Sequence, residues 1–510
     1  MESPLRLINP QREAERHWVH EALEKLAQEA ARSADTHLLK LNFPGFHGID
    51  FYFKDEAAHP TGSLKHRLAR SLFLYALCNG RLRGEQAVVD ASSGSTAISE
   101  AWFARLLGLS FTAVMPAATA PGKIRDVQAL GGRCDLVDDP AQVHARAAAH
   151  AAHGACHLDQ FGLAERATDW RGNNNIAESI IGQLAREPSP EPTWIVCGAG
   201  TGGTSATIGR YLRYRRLATR LCVAEPTGSG FVQGWRTREP NARASRPTLI
   251  EGIGRPRVEP GFLFDVVDHV IEVPDTASIA AAWLLEDLLG RRYGGSSGTN
   301  LVACLQLAST MRARGERGSI VSLLCDRGER YAETLFDPAW LAAHDIDLAP
   351  ARAALKGCIE SGRWMPPPGS ACTNDPTASP PHWRPTPVDR RSAGIAVSKR
   401  GDCNDRLHPS LAMHRLRQDR GAAAVHRRVP RPQDPDGRQG RARMCAGRTR
   451  GAAGTGRARP RDAAALRPGA ATRRPVGGLV ERAAGPSARG ARADGRGQGI
   501  AGRHPDHRLR

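Results

Sequence analysis

One lysine stands among small residues in the stretch HPTGSLKHR, which runs from His59 to Arg67 and leads into the helical pattern HRLARSLFLYAL. A lysine that is held away from bulk water loses its proton readily, and the free amine can bond an aldehyde or carry a proton. A solvated surface lysine is the ordinary alternative. Amine chemistry at Lys65 therefore requires that other polar turns accompany it in the fold.

A glycine-rich turn follows a short apolar strand in WIVCGAGTGGTSATIGRYL, which begins at Trp194. The backbone N–H groups at the start of the following helix, together with the helix dipole, form a site for an anion such as a phosphate. The glycines also fit the pattern G-x-G-x-x-G, and Glu225 ends the next strand as a ribose-binding acid would. An NAD-dependent dehydrogenase is therefore one alternative, although it gives Lys65 no role.

Two further turns are rich in small, hydroxyl-bearing residues: SSGST at residues 92–96 and GGSSGTN at residues 294–300. Each of them, taken alone, is most simply a turn beside a strand or helix. Together with Lys65 and the GTGGT loop at residues 200–204, they supply an amine, a phosphate cradle, a carboxylate cradle and a lone hydroxyl. A site for pyridoxal 5'-phosphate (PLP) requires this set of groups.

In this order the four pieces resemble those of the fold-type II PLP-dependent enzymes, the cysteine synthase and cystathionine β-synthase family, over residues 40–335. The stretches DQFGLAERATDWRGNNNIAESI and EGIGRPRVEP look closest to the actinobacterial L-cysteine desulfhydrase branch of that family. Cysteine synthases usually carry a T-G-P-E type segment where this sequence has DWRGNNNIAES. The resemblance implies β-elimination on L-cysteine to sulfide, pyruvate and ammonia, with a cysteine synthase acting on O-acetylserine as the alternative.

The resemblance implies that Lys65, the lysine of the family's P-x-x-S-x-K pattern, bonds the cofactor aldehyde and moves the substrate Cα proton. It implies that the GTGGT loop holds the cofactor phosphate, through Gly200, Thr201, Gly202, Gly203 and Thr204. Ser296 matches the serine that faces the cofactor's pyridine nitrogen, or Ser297 does if the alignment shifts by one residue. A neutral hydroxyl does not hold that nitrogen protonated as a carboxylate would. The weaker electron sink favours loss of a β-substituent over transamination.

The SSGST loop matches the family's substrate-carboxylate loop, usually T-S-G-N-T-G. The resemblance implies that the substrate carboxylate is bound by Ser92, Ser93, Thr96 and Gln160. Ser95 stands where the family has an asparagine that contacts the cofactor's ring oxygen, so Ser95 is assigned to the cofactor. Its shorter side chain reaches that oxygen only through water or not at all, which puts the tuning of the cofactor in doubt.

The elements that must position these residues follow from the apolar pattern. Short apolar runs such as AVVDA, FTAVMP and SIVSLLCD alternate with segments of helical period such as STAISEAWFARLLG. This alternation predicts βαβ units and mostly parallel sheets with helices on both faces. We therefore predict an α/β fold of the fold-type II PLP kind (tryptophan synthase β-like) with two lobes. The predicted ranges are a helical arm (1–45), an N-terminal lobe with the lysine and carboxylate loop (46–190), a C-terminal lobe with the phosphate loop (191–366) and a low-complexity basic tail (367–510).

The net charge of +19 belongs to the end of the chain. Residues 369–510 contain 30 Arg and Lys against 11 Asp and Glu, so the first 368 residues are close to neutral. A tail of Arg, Ala, Gly and Pro with few aliphatic residues cannot bury enough apolar surface to fold. We expect a disordered basic arm or, as the preferred interpretation, an out-of-frame translation of GC-rich DNA. Nucleic-acid binding through this tail is a further alternative that the neutral remainder does not favour.

Eleven cysteines are scattered without a C-x-x-C pair or a metal-type spacing with histidine, so we expect no metal site. The start MESPLRLINPQREAER lacks a signal-peptide pattern, and no apolar run is long enough to span a bilayer. We therefore expect a cytoplasmic enzyme with a small amino-acid substrate and no membrane or nucleic-acid partner. Relatives in the family imply a homodimer.

Overall fold

The structure is a computed structural model that describes residues 10–33 and 35–366. Its helices are α1 (Pro10–Ser33), α2 (Lys65–Cys78), α3 (Ser95–Leu107), α4 (Pro121–Ala129), α5 (Val143–Ala152), α6 (Gln160–Ala167), α7 (Ile176–Leu184), α8 (Gly203–Arg215), α9 (Gly230–Thr237), α10 (Asp275–Leu289), α11 (Gly295–Ala313), α12 (Pro338–Ala343) and α13 (Ala349–Ser361). Its strands are β1 (Leu38–Leu41), β2 (Ile49–Asp55), β3 (Val88–Ala91), β4 (Phe111–Pro116), β5 (Arg133–Val137), β6 (Cys156–His157), β7 (Trp194–Cys197), β8 (Arg220–Pro226), β9 (His269–Val273) and β10 (Gly318–Leu324). Short 3-10 helices cover Glu56–Ala58, Pro140–Gln142, Phe264–Val266 and Gly328–Tyr331. The predicted basic tail and its two interpretations lie outside the described residues.

The described strands form two sheets. The larger has the order β1-β2-β10-β7-β8-β9, and within it β1 runs antiparallel to β2 while the other neighbours are parallel. The smaller has the order β5-β4-β3-β6 and is parallel throughout. Parallel neighbours need crossover connections, and helices provide them here. The predicted α/β architecture with two mostly parallel sheets is therefore confirmed.

Strand β7 shows why these apolar runs become central strands. All of its residues, WIVC, are buried, as is expected of a parallel strand with helices on both faces. Successive side chains point to opposite faces. Val196 packs in the same core as Leu305 of α11, while Ile195 packs in a second core with Ile208 of α8. Burial of each such side chain stabilises the folded state by about 1.5–3 kcal/mol relative to leaving it exposed.

The two sheets do not coincide with the predicted ranges 46–190 and 191–366. β2 comes early in the chain, yet it pairs in parallel with β10, from Gly318↔Ile49 to Leu324↔Asp55. β1 of the predicted arm extends this same sheet, and α7 packs against its core. Partners in a parallel sheet are separated by whole crossover units, so their order in the chain does not reveal which strands meet.

Helix α1 is attached to the rest of the fold by a buried carboxylate. Glu29 Oε1 accepts a hydrogen bond of 3.0 Å from His66 Nε2, and Glu29 Oε2 accepts one of 3.0 Å from Arg70 Nε. Burial alone would raise the pKa of Glu29, but the bonds from His66 and Ser33 and the charge of Arg70 lower it to about 2. Burial lowers the pKa of His66 to about 4, so this ring is neutral at pH 7. The arm is thereby bound to the residue that follows Lys65.

We predict that Glu29→Gln lowers the free energy of unfolding by about 1–3 kcal/mol at pH 7, because a buried, charged acceptor of hydrogen bonds from Ser33, His66 and Arg70 is lost. A carboxyl whose pKa is depressed in the folded state stabilises above its unfolded pKa and loses that effect as the pH falls. The difference in the free energy of unfolding between wild type and variant should therefore become smaller as the pH falls from about 4.5, the pKa of this carboxyl in the unfolded chain, toward pH 2. Urea unfolding of both proteins at a series of pH values measures this difference.

The exposed Glu24 of the same helix supplies the control, because its carboxylate bonds only Gln28 Nε2 in the described part of the chain. Glu24→Gln should change the unfolding free energy by less than about 0.5 kcal/mol. Equal stability of Glu29→Gln and wild type at pH 7 would contradict this account of the arm.

Candidate active site

The predicted motifs meet around one cavity of about 580 Å³ at the carboxyl ends of β3, β7 and β10. In open α/β sheets, ligands bind beyond the carboxyl ends of the strands. The predicted residues that line this cavity are Lys65, Ser92, Ser93, Ser95, Thr96, Gln160, Gly200, Thr201, Gly202, Thr204 and Ser296. Gly203 does not line it. Gly203 lines an adjacent cavity of about 430 Å³ that also reaches Lys65, Thr201 and Thr204.

Lys65 is the first residue of α2, and the backbone around it is bonded to the end of β10. Leu64 N donates to Cys325 O at 2.8 Å, and Ser63 forms a β-bridge with Asp326. Burial lowers the pKa of Lys65, and the charge of Arg255 acts in the same direction against Cys325 and Asp326. Within residues 10–33 and 35–366, no group accepts a hydrogen bond from Lys65 Nζ. This half-buried amine lines the cavity and therefore remains available to a ligand.

The GTGGT loop joins β7 to α8, and two of its glycines are required by close approaches. A Cβ on Gly200 would lie 2.2 Å from Gly252 O, and one on Gly202, where φ is +81°, would lie 2.4 Å from Gly261 C. The Cβ position of Gly200 is also 3.6 Å from Lys65 Nζ. The lysine amine and the loop at the N-terminus of α8 are thus immediate neighbours, as the predicted site requires.

The SSGST loop joins β3 to α3. Ser92 Oγ accepts a hydrogen bond of 3.1 Å from Ala97 N, so this serine supports the first turn of the helix. Gln160 is buried, and its Nε2 donates to Ala91 O at 2.9 Å. Ser93 is exposed and Thr96 is buried. The loop therefore presents a mixture of side-chain hydroxyls and helix N-terminal amides to the cavity.

The two serines that the sequence left open at the pyridine nitrogen differ in position. Ser296 lies in the first turn of α11, is 6% exposed and lines the cavity. Ser297 is fully buried, and its Oγ accepts a hydrogen bond of 2.8 Å from Cys325 N. Ser297 thus connects α11 to the end of β10, and Ser296 is the serine with access to a ligand.

A family model for pyridoxal-phosphate dependent enzymes matches residues 32–326. The chain belongs to this family. L-cysteine desulfhydrase Cds1 of Mycobacterium tuberculosis is 54% identical over 358 residues, which cover 69% of this chain and 97% of that protein. A putative cysteine synthase of Sinorhizobium fredii is 30% identical over 332 residues, or 62% of this chain and 93% of that protein. The crystal structure of O-ureido-L-serine synthase superposes with a TM-score of 0.52 and 25% identity, covering 60% of this chain and 96% of that chain.

These comparisons confirm the predicted fold-type II PLP family and its nearness to the L-cysteine desulfhydrase branch. The geometry of this chain fits the family's cofactor in three respects. An available lysine amine lies beside a loop at a helix N-terminus, the glycines of that loop permit its close approach to the neighbouring backbone, and a hydroxyl lines the same cavity at Ser296. In the described part of the chain, no group of three or more His, Cys, Asp or Glu side chains could hold a metal ion.

Glu225 does not have the role that the dehydrogenase alternative gave it. The residue is fully buried, and its carboxylate accepts from Ala199 N at 2.8 Å, Ser229 Oγ at 2.7 Å and Gly254 N at 3.0 Å. Burial raises the pKa of Glu225 to about 7, although these three donors act in the opposite direction. The carboxylate therefore connects the phosphate loop with the EGIG loop and offers no free oxygen to a ribose.

Several charged residues at the cavity were missed by sequence reasoning. Asp326 and Arg330 follow β10 in the run CDRGERY, and both line the cavity beside Ser95. Lys123 of α4 forms an ion pair with Glu251 of the EGIG loop, and both of these side chains line it as well. Asp326 and Arg330 could have been found from the polar run that directly follows an apolar strand. Lys123 lies in an ordinary amphipathic helix, which gives no indication of a functional residue.

We predict that Glu225→Gln destabilises both loops. A glutamine has one acceptor oxygen, so its NH2 group must face a backbone N–H and leave that buried donor unpaired, at a cost of about 1–3 kcal/mol. The midpoint of thermal unfolding should fall, and PLP should bind less tightly in an absorbance titration. Glu239→Gln, a change at an exposed carboxylate, should leave both quantities unchanged. Wild-type PLP affinity in Glu225→Gln would show that the two loops do not depend on this residue.

Proposed function

We propose that this chain catalyses PLP-dependent β-elimination on L-cysteine: L-cysteine and water give sulfide, pyruvate and ammonia. The observation that carries the proposal is the position of Lys65 Nζ, unpaired among the described residues and next to Gly200 at the start of α8. The 54% identity to an L-cysteine desulfhydrase over 97% of that protein supports the choice of substrate and reaction.

The roles of the residues that line the cavity form part of the proposal. Lys65 bonds the cofactor, Ser95 and Ser296 meet its ring, and the phosphate is held by Gly200, Thr201, Gly202, Gly203 and Thr204. The substrate carboxylate is bound by Ser92, Ser93, Thr96 and Gln160. The N-termini of α3 and α8 support this assignment, because the backbone N–H groups and positive dipole end at a helix N-terminus favour the binding of an anion.

Bound PLP supplies an electron sink for negative charge that develops at the substrate Cα. Lys65 is the base that removes the Cα proton. A general base must be neutral to accept a proton, and the lowered pKa of the Lys65 amine favours that form. Ser92–Thr96 orient the substrate so that the Cα proton faces that amine. The sulfur leaves with the electrons of the Cβ–S bond, and water completes the reaction.

Cysteine synthase activity is the second candidate, because the relative from Sinorhizobium fredii carries that description and is 30% identical over 332 residues. Such an enzyme starts from O-acetylserine and adds sulfide. The two reactions differ in the leaving group and in the fate of the remaining carbon skeleton, which is hydrolysed by a desulfhydrase and takes up sulfide in a synthase.

We predict that Lys65→Ala removes the yellow absorbance band of the PLP-loaded protein and lowers sulfide release from L-cysteine by roughly 10²–10⁴-fold or more. The wild-type chain loaded with PLP is the reference for both measurements. Lys356→Ala removes an exposed lysine of α13 and should preserve the band and the rate. A Lys65→Ala protein that keeps both would eliminate the proposed role of this amine.

Substrate choice is tested separately, with the wild-type chain. L-cysteine alone should yield sulfide and pyruvate in equal amounts, while O-acetylserine with sulfide should yield cysteine more slowly. If L-cysteine is inert and O-acetylserine with sulfide gives cysteine, the protein is a synthase.

We also propose that the enzyme is cytoplasmic and, as the family resemblance implies, a homodimer. The eight cysteines of the described residues are all free thiols, which agrees with a reducing compartment. No helix in the described residues is long and apolar enough to cross a membrane.

A further inference from the structure

The hydroxyl of Ser95 is held by two charged groups from a distant part of the chain. Ser95 Oγ accepts a hydrogen bond of 2.9 Å from Arg330 Nη1 and donates one of 3.3 Å to Asp326 Oδ2. Ser92 of the same loop bonds backbone N–H groups instead. The family resemblance aligns Ser95 with the asparagine that contacts the cofactor's ring oxygen, so these two partners bear on the proposed cofactor site.

Arg330 cannot easily turn away from this serine. Its Nη2 donates to Thr61 O at 2.5 Å, and its backbone lies in the 3-10 helix Gly328–Tyr331. Because a guanidinium is planar and rigid, bonds at both terminal nitrogens fix its orientation. Its side chain is half-buried and lines the cavity. A fixed positive charge therefore lies beside the N-terminus of α3.

Asp326 is the weaker partner of Ser95. Its Oδ2 also accepts a hydrogen bond of 2.7 Å from Tyr331 Oη, which is much shorter than the 3.3 Å to Ser95 Oγ. Burial raises the pKa of Asp326, although Tyr331, Arg330 and Ser95 lower it. Because Asp326 Oδ2 keeps its hydrogen bond from Tyr331, the Ser95 hydroxyl can donate to another acceptor at a small cost in free energy.

We propose that Arg330 is a positioning residue that makes the Ser95 hydroxyl a hydrogen-bond donor toward the ring oxygen of PLP, through a bridging water that makes up for the shorter side chain. Arg330 occupies a lone pair of Oγ with a charge-assisted bond, which orients the hydroxyl and leaves its single proton to be donated. Serine and arginine together thereby replace the amide that other family members place at this position. The inference rests on the PLP site proposed above, and not on which amino acid is the substrate.

A purely structural role for Arg330 is the competing alternative, since its bond to Thr61 O ties together the segments before Lys65 and after β10. Arg327 offers a matched control. Its Nε donates to Ala57 O at 3.0 Å and its Nη2 to His59 O at 3.4 Å, so it joins the same two segments without contacting Ser95.

The experiment measures the dissociation constant of PLP and the pH midpoint of its absorbance band in four full-length variants: Arg330→Gln, Ser95→Ala, the double variant and Arg327→Gln. We expect each single change at Arg330 or Ser95 to weaken PLP binding by roughly tenfold, the scale of one charge-assisted hydrogen bond. The double variant should bind PLP no more weakly than the weaker-binding single variant. Arg330→Gln, Ser95→Ala and the double variant should all shift the pH midpoint in the same direction. Arg327→Gln should leave the midpoint in place.

Ser95→Asn in the Arg330→Gln background should restore the wild-type PLP affinity, because an amide carries its own N–H donor and needs no arginine. Arg330→Lys replaces Arg330→Gln if the latter does not fold; a single ammonium cannot reproduce the planar bonds to both Ser95 and Thr61, so a smaller shift in the same direction is expected.

Multiplicative losses in the double variant would show that the two residues act independently and would overturn the inference, as would an equal midpoint shift in Arg327→Gln. A wild-type chain that takes up no PLP would instead overturn the proposed function.

Discussion

A lysine amine kept unpaired inside the protein is the constraint on which this site depends. Lys54 shows the ordinary arrangement of a buried lysine: its Nζ donates to Asp35 Oδ1 at 2.9 Å, Thr36 O at 2.6 Å and Gln183 Oε1 at 2.7 Å. Lys65 has no such partners in the described residues and faces a cavity. A buried cation without partners is costly, and loss of its proton relieves that cost. The fold therefore favours the neutral amine that nucleophilic chemistry needs.

The surrounding structure converges on this amine from elements that are far apart in the chain. The start of α2 is bonded to the end of β10, and the Gly200 turn after β7 lies against Gly252 of the EGIG loop. Glu225 at the end of β8 then binds the backbone of both loops. These contacts exist because neighbouring parallel strands end at the same edge of the sheet. A displacement of β10 would move Lys65 and the loops together.

The sequence predicted what is local and missed what depends on pairing between distant segments. Lys65, the SSGST loop and the GTGGT loop are recognisable because glycine and hydroxyl residues at a strand–helix junction are typical of a turn that binds an anion. The parallel pairing of β2 with β10 was missed, because the sequence of neither strand indicates which strand it pairs with. Arg330 was missed for the same reason, because its contact with Ser95 is created only by the folding of the chain.

In the proposed site, the preference for loss of a β-substituent over transamination would depend on the groups near the predicted position of the pyridine nitrogen. Ser296 is neutral, and burial raises the pKa of the neighbouring Cys325 thiol to about 11, despite hydrogen bonds from Ser296 and Ser297 and the charge of Lys65. Both groups therefore stay uncharged at pH 7. With PLP bound as proposed, neither group could hold a pyridinium as a carboxylate would, so negative charge at the substrate Cα would be stabilised only moderately. A substrate with a good leaving group at Cβ, such as the sulfur of cysteine, would use the electron pair at Cα to break the Cβ–S bond, so elimination would be favoured over transamination.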